Sequence, residues 1–399
     1  MTAMIAALRA VPPAPAAPLV DRVRERLASS GGAVTSAVVA AAVRAEAGGV
    51  ISDSEVLAAL RMLQQEFTGA GPLEDLLRDP ATTDVLVTAP DGVWVDRGAG
   101  LARAGVTFAD EDAVRRLAQR LALTAGRRLD DSSPYVDALL PGGVVRLHAV
   151  LSPIAAGGTC LSLRVLRPAV HDLPTLRRLG MVDDDGLRLL RAVVRARLAF
   201  LIAGGTASGK TTLLSALIAC VPHDERVVCV EDAEELRPAH PHVVRLVARP
   251  PNIEGAGEVV LRDLVRQALR MRPDRLVVGE VRGAEVCDLL AAMNTGHEGG
   301  AGTVHANSPH EVPARLEALA ALGGMSRAAL HSQLGAAVQV LIQVARVESG
   351  NRRLEEVAVL ERGSGEVAVR PVWQRGRGWT SDRALLDGLL RRRGVRPPW

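Results

Sequence analysis

Leu198-Ala-Phe-Leu-Ile-Ala-Gly-Gly-Thr-Ala-Ser-Gly-Lys-Thr-Thr-Leu-Leu-Ser-Ala-Leu-Ile-Ala219 reads as a buried strand, a glycine-rich turn and a helix, in that order. The run Leu198 to Ala203 is apolar throughout, as a strand covered on both faces requires. Thr211 to Ala219 has helical spacing and no breaker. Between them Gly204, Gly205, Thr206, Ala207, Ser208, Gly209, Lys210 and Thr211 complete the pattern G-x-x-x-x-G-K-[ST], and Thr212 extends it. Backbone N–H groups in such a loop wrap a phosphate, and the following helix N-terminus adds its dipole. Lys210 is the only lysine among 48 basic residues. A slim ammonium on a long stem reaches phosphate oxygens where a planar guanidinium fork is too wide. The Thr211 hydroxyl is the expected Mg²⁺ ligand.

At 399 residues the chain is expected to form two or three domains. Its charged and apolar fractions are those of a globular protein. A net charge of +3 is too small to argue for a nucleic-acid partner. With only 2% aromatic residues, a base-stacking platform has little to work with. Cys160, Cys220, Cys229 and Cys287 show no paired or metal-type spacing, which suits a reducing compartment. No basic, apolar leader and no membrane-length apolar run is legible, so a cytoplasmic protein is expected, held at a membrane only through partners.

Val11-Pro-Pro-Ala-Pro-Ala-Ala-Pro18 reads as a flexible leader, and Asp21 to about Gln65 as helices. Residues 1–65 thus form a leader and helical segment. Residues 66–168 read as a smaller α/β domain. Its strand-like runs are Thr83–Thr88, Gly92–Asp96, Val144–Leu151 and Cys160–Leu166, with an amphipathic helix from Glu111 to Leu123. Residues 169–178 read as a linker. Residues 179–399 alternate helices with the apolar runs Leu198–Ala203, Arg226–Val230, Val243–Leu246 and Arg275–Val278. This predicts a parallel sheet covered by helices, with ligand at the carboxyl ends of its strands. The basic tail Arg391 to Trp399 reads as solvated.

Polar motifs fall at those strand ends. Arg275-Leu-Val-Val-Gly-Glu280 ends in a carboxylate that can order water near a γ-phosphate, which makes Glu280 the candidate base. Gly279 stands where phosphate-loop hydrolases usually have Asp. Arg226-Val-Val-Cys-Val-Glu-Asp232 offers Glu231 and Asp232 to a metal-bound water, or as a helix start. His297 and His305 flank a glycine-rich stretch. Their spacing does not suit zinc, and a phosphate sensor or hydrogen-bond relay fits better. Arg146 and Arg164, from the preceding domain, are weaker candidates for neutralising charge on a transferred phosphoryl group.

Together these motifs resemble the secretion-superfamily traffic ATPases, in particular the CpaF/TadA-type ATPase of tight-adherence (Flp) pili and its conjugal-transfer-associated group. The resemblance covers about residues 66–362. It rests on Phe67-Thr-Gly-Ala-Gly-Pro-Leu-Glu-Asp-Leu-Leu77, Gly126-Arg-Arg-Leu-Asp130, Pro134-Tyr-Val-Asp-Ala138, Leu161-Ser-Leu-Arg164, the phosphate loop and Val230-Glu-Asp-Ala-Glu-Glu235. Its most specific part is Met271-Arg-Pro-Asp-Arg-Leu-Val-Val-Gly-Glu-Val-Arg-Gly283, with Met293-Asn-Thr-Gly-His297 and Thr303-Val-His-Ala-Asn-Ser-Pro309. The family's second motif ends in Gly-Glu, which accounts for Gly279. The resemblance implies a RecA-like motor domain with a smaller N-terminal α/β domain, assembled as a homo-hexamer. It implies ATP and Mg²⁺ as ligands and inner-membrane platform proteins as partners; the low aromatic content and modest charge argue against direct nucleic-acid contact. Glu280, Glu231, His297 and His305 match the family's second-motif, acidic-box and histidine-box residues. Arg146 and Arg164 match its γ-phosphate arginines. A DNA-transfer motor and a nucleotide-binding scaffold with little turnover are the alternatives.

Overall fold

The computed structural model describes residues 22, 23, 26, 36–46, 69–166, 171–252, 254–296, 298–347 and 350–399. Of the expected N-terminal helices, Ser36–Glu46 (α1) is among them; most of residues 1–65 lie outside the described residues. The chain divides into two compact units, Met1–Val165 and Leu166–Trp399.

The first unit is built on a six-stranded antiparallel sheet. Its strands are β1 (Asp84–Ala89), β2 (Gly92–Asp96), β3 (Leu101–Arg103), β4 (Tyr135–Leu139), β5 (Val145–Val150) and β6 (Cys160–Val165), in the order β3-β2-β1-β6-β5-β4. The short helix α2 (Glu74–Arg78) precedes them. Helix α3 (Glu111–Thr124) covers one face. Asp110 caps it by accepting from Ala113 N at 2.7 Å, and acids fill its first turn. Val114, Leu117, Ala118, Leu121 and Ala122 recur at helical spacing and pack on Val85, Val87, Leu147 and Leu163. The other sheet face alternates outward and carries charge. Sequence periodicity foresaw β1, β2, β5 and β6. It did not foresee β4, whose Tyr135 and Asp137 point outward.

The second unit holds a nine-stranded mixed sheet. Helices α4 (Leu173–Arg178) and α5 (Asp184–Arg195) lead into β7 (Phe200–Ala203), and α6 (Lys210–Ile218) follows it. Then come β8 (Val227–Glu231), β9 (Val243–Val247), α7 (Leu261–Leu269), β10 (Arg275–Val281), α8 (Glu285–Asn294) and β11 (Ala301–Val304). Helices α9 (Val312–Leu322) and α10 (Arg327–Ala337) precede β12 (Val340–Arg346), β13 (Arg352–Arg362), β14 (Val367–Gln374), β15 (Gly378–Trp379) and α11 (Arg383–Arg392). The strand order is β15-β14-β13-β12-β7-β11-β10-β8-β9. The six strands from β12 to β9 are parallel, as expected. An antiparallel meander, β12 to β15, extends them, which the alternation of helix and strand did not foresee.

Strand β7 is buried along its whole length because both of its faces are covered. Phe200 and Ile202 join one core with Leu213, Leu214 and Leu217 of α6, while Leu201 and Ala203 join a second with Val278, Val286 and Leu290. Two buried faces explain the unbroken apolar run. The tail is not simply solvated. Val395 and Trp399 pack against the first core, and the Trp399 indole donates to Asp387 Oδ1 at 3.0 Å. Apolar tail residues outweigh the basic run that precedes them. No helix among the described residues is long and apolar enough to cross a membrane.

Candidate functional site

The site grows from three neighbouring parallel strands, β7, β11 and β10. Each ends at the same edge of the sheet and hands one side chain to it. After β7 the chain turns through Gly204 to Gly209. Gly209 caps α6 at φ +98°, a left-handed conformation that a side chain would strain. Lys210, the first helical residue, is 7% exposed. Its Nζ donates to the carbonyls of Gly204 and Gly205, both at 2.9 Å, and lies 3.3 Å from His305 Nε2.

His305 follows β11. Its Nε2 is 2.5 Å from Glu280 Oε1, which ends the buried run of β10. Partial burial holds the His305 pKa below its usual value. Lys210 acts in the same direction, and Glu280 acts against both. The imidazole is therefore neutral near pH 7, and its Nε2 lies beside a carboxylate oxygen, Glu280 Oε1, that is buried and accepts no hydrogen bond from the protein. Arg282 contacts the second oxygen of Glu280, Oε2, and its Nη1 lies 3.7 Å from Asp232 Oδ2.

Glu231 ends β8, next to β10. It is 3% exposed. Its Oε1 accepts from Leu236 N at 2.8 Å and Glu235 N at 3.1 Å. Burial nevertheless pushes its pKa up to about 7, with the nearby Glu235 acting in the same direction. The same carboxylate explains Gly279. A Cβ there would stand 2.9 Å from Glu231 Cγ, so Gly lets the acid lie flat against β10. Glu235 in turn lies 3.4 Å from the Thr211 hydroxyl.

The structure therefore brings together Lys210, Thr211, Glu231, Glu280 and His305. It adds two residues that reading the sequence did not select. Glu235 follows Glu231 by four residues in a run of acids, and that run was the available signal. Arg282 follows Glu280 by two, so on an extended chain the pair shares a side. His297 lies outside the described residues. Arg146 and Arg164 lie in the first unit. They are directly opposed in the β5–β6 register and share the outward face of that sheet. Arg146 grips Asp137 with both donors, Nε–Oδ1 at 2.8 Å and Nη2–Oδ2 at 2.6 Å, which holds the Asp137 carboxyl below its usual pKa.

Three orphaned polar atoms test whether a phosphate group with Mg²⁺ suits this site. Ser208 Oγ, inside the loop, Glu231 Oε2 and Glu280 Oε1 are all buried without a hydrogen-bond partner in the protein. Buried polar groups seldom stay unpaired, so polar ligands to the hydroxyl and the two carboxylates fit the cluster.

A strand, phosphate loop and helix on a parallel sheet, with carboxylate and histidine at the neighbouring strand ends, define a RecA-like phosphate-loop domain. The chain belongs to the type II/IV secretion system protein family, whose model matches residues 66–382. It is 66% identical over 349 residues to a Mycobacterium tuberculosis protein named for conjugal transfer, covering 86% of this chain and 99% of that one. It is 33% identical over 313 residues to the type IV secretion system protein PtlH of Bordetella pertussis, covering 72% and 88%. The pilus retraction motor PilT, solved with bound ADP, superposes with a TM-score of 0.51 at 20% identity, over 80% of this chain and 86% of that one. At that identity the likeness is one of fold.

Proposed function

We propose that this protein is a Mg²⁺-dependent ATPase that works as a homo-hexameric ring and drives a pilus or secretion machine of the Flp/Tad or type II/IV kind. The observation that carries the reading is the convergence of Lys210, His305 and Glu280 at one sheet edge, with Lys210 on the phosphate loop. The reaction is attack of water on the γ-phosphorus of ATP, giving ADP and phosphate. The amides of Gly205 to Thr212 bind the phosphates, and Lys210 exchanges its two carbonyl partners for phosphate oxygens. Thr211, with Glu235 3.4 Å away, would hold Mg²⁺, and the ion would screen charge on the phosphates. Glu280 orients the water and takes its proton. His305 lies beside both Lys210 and Glu280 and so senses the same centre. Glu231 is the second candidate for the base, because a pKa near 7 suits proton acceptance. Arg146 and Arg164 supply positive charge to the γ-phosphate from the smaller domain, and His297 belongs with the histidine pair.

In this reading residues 1–65 are a leader and helical segment, 66–168 the smaller domain, 169–178 a linker and 179–399 the motor with its basic tail. The protein works at the inner face of the cytoplasmic membrane, held there by inner-membrane platform proteins. The conjugal-transfer name of the mycobacterial relative favours a second reading, a DNA-transfer motor. Stimulation of turnover by single-stranded DNA would select it.

The test is steady-state Mg²⁺-ATP turnover across protein concentrations, beside Lys210→Ala. Specific activity is expected to rise with concentration and to fall by about 1,000-fold or more in the variant. Equal activity in the two proteins rejects the ATPase reading, and activity independent of concentration rejects the ring.

A further inference from the structure

The Glu280 carboxylate has two different neighbours. Neutral His305 lies beside Oε1, which accepts no hydrogen bond from the protein, and cationic Arg282 donates to Oε2. The position of Arg282 is built with care. Glu285, the first residue of α8, is buried, and its Oε1 accepts from the backbone N–H of both Arg282 (2.6 Å) and Gly283 (2.7 Å). Those two bonds fix the turn that leaves β10. The Arg282 side chain then runs back beside Glu280 and also faces Asp232, in the acidic segment after β8. One planar guanidinium thus stands between the acid of one strand end and the acid of the next. It is 50% exposed. An exposed ion pair of this kind contributes little to stability, so stability does not explain the arrangement.

We infer that Arg282 is a positioning residue: it orients the Glu280 carboxylate and couples it to the acidic segment through Asp232. With Oε2 held by Arg282, Oε1 is the oxygen left facing His305 and the phosphate loop. A movement of the acidic segment, where Glu231 and Glu235 also sit, is passed to Glu280 through the guanidinium. The inference rests on the ATPase reading above, because a positioning role needs a reaction.

The test compares steady-state ATP turnover of the full chain with that of Arg282→Ala, Arg282→Lys, Asp232→Asn and the double variant Arg282→Ala/Asp232→Asn. Arg282→Ala is expected to lower kcat by about 10- to 100-fold, since a small misplacement of a reacting group costs up to about that much. KM for ATP is expected to stay within about threefold, and the thermal midpoint unchanged. Arg282→Lys should recover part of kcat, because its point charge can serve one acid and not both. The double variant should be no slower than Arg282→Ala alone, the signature of two residues acting through one path. Unchanged kcat in Arg282→Ala overturns the inference. So does a raised KM at constant kcat, which would make Arg282 a nucleotide contact, and so do independent, multiplying effects of the two substitutions. If wild type turns over no faster than Lys210→Ala, the ATPase reading fails and the role of Arg282 fails with it. If wild type is active and Arg282→Ala matches it, only the positioning role falls.

Discussion

Strand β10 has an ionic cluster at each end, and the two ends differ in how tightly their charges are held. At its start, Arg275 is 2% exposed. It gives Nε to Glu225 Oε2 at 2.7 Å and Nη2 to Glu225 Oε1 at 3.3 Å and to Val194 O at 3.0 Å. Nε and Nη2 are both committed to the protein itself. At its finish, Glu280 has His305 beside one oxygen and a half-exposed Arg282 on the other, and Lys210 donates to loop carbonyls next to them. Those partners can be exchanged. The contrast separates a buried charge bonded within the protein, as architecture requires, from charges whose partners can leave, as the proposed chemistry requires. Both clusters contain arginine and glutamate, so residue type alone does not tell them apart.

Breaking the sealed cluster should have the largest effect on folding. Arg275→Met is expected to destabilise the protein by about 3–5 kcal/mol in urea denaturation, because it strands Glu225 with a weakened partner set. A loss below about 1 kcal/mol would mean that the amino-terminal cluster is no more committed than the other.

The carboxyl-terminal edge should show the opposite behaviour, a charge that the fold disfavours. Glu231 has its pKa raised from 4.5 to about 7. The folded state therefore holds a proton that the unfolded chain has released over that interval. Stability falls as pH rises from about 4.5 through about 7 and is level on either side. Glu231→Gln removes the titration. The variant should match wild type near pH 4.5 and exceed it by on the order of 2 kcal/mol at pH 8. Parallel pH–stability curves for the two proteins would show that Glu231 titrates normally.

The smallest effect is expected where the ion pair is exposed on both sides. Arg393 meets Glu298 at 2.6 Å, and this contact holds the Glu298 carboxyl below its usual pKa. Arg393→Ala should cost less than about 1 kcal/mol, and added salt should erase the difference. A larger, salt-resistant loss would place this pair with the sealed cluster at the start of β10.

Much of the site was legible along the chain. The phosphate loop is contiguous, and its glycines, its lysine and its flanking strand and helix all obey local rules. Glu280, Glu231 and His305 were legible because each closes an apolar run, and in a parallel sheet such ends gather at one edge. Arg282 and Glu235 were not, because an arginine or a glutamate two or four residues beyond a motif looks like any solvated charge. β13 to β15 escaped for a related reason. Their strands face partly polar surroundings, and no helix alternates with them to announce a parallel repeat.

The amino-acid order by itself determined the β7–loop–α6 unit, the amphipathic face of α3 and the place of Lys210 in the phosphate-loop motif. Each depends on neighbours within a few residues, where periodicity and backbone conformation act directly. Only the tertiary structure decided that Lys210, His305, Glu280 and Arg282 touch, that Gly279 makes room for Glu231 on the next strand, and that Arg146 faces Asp137 across a strand pair. Those contacts join residues from separate strands, and strand order and register set them, not separation along the chain.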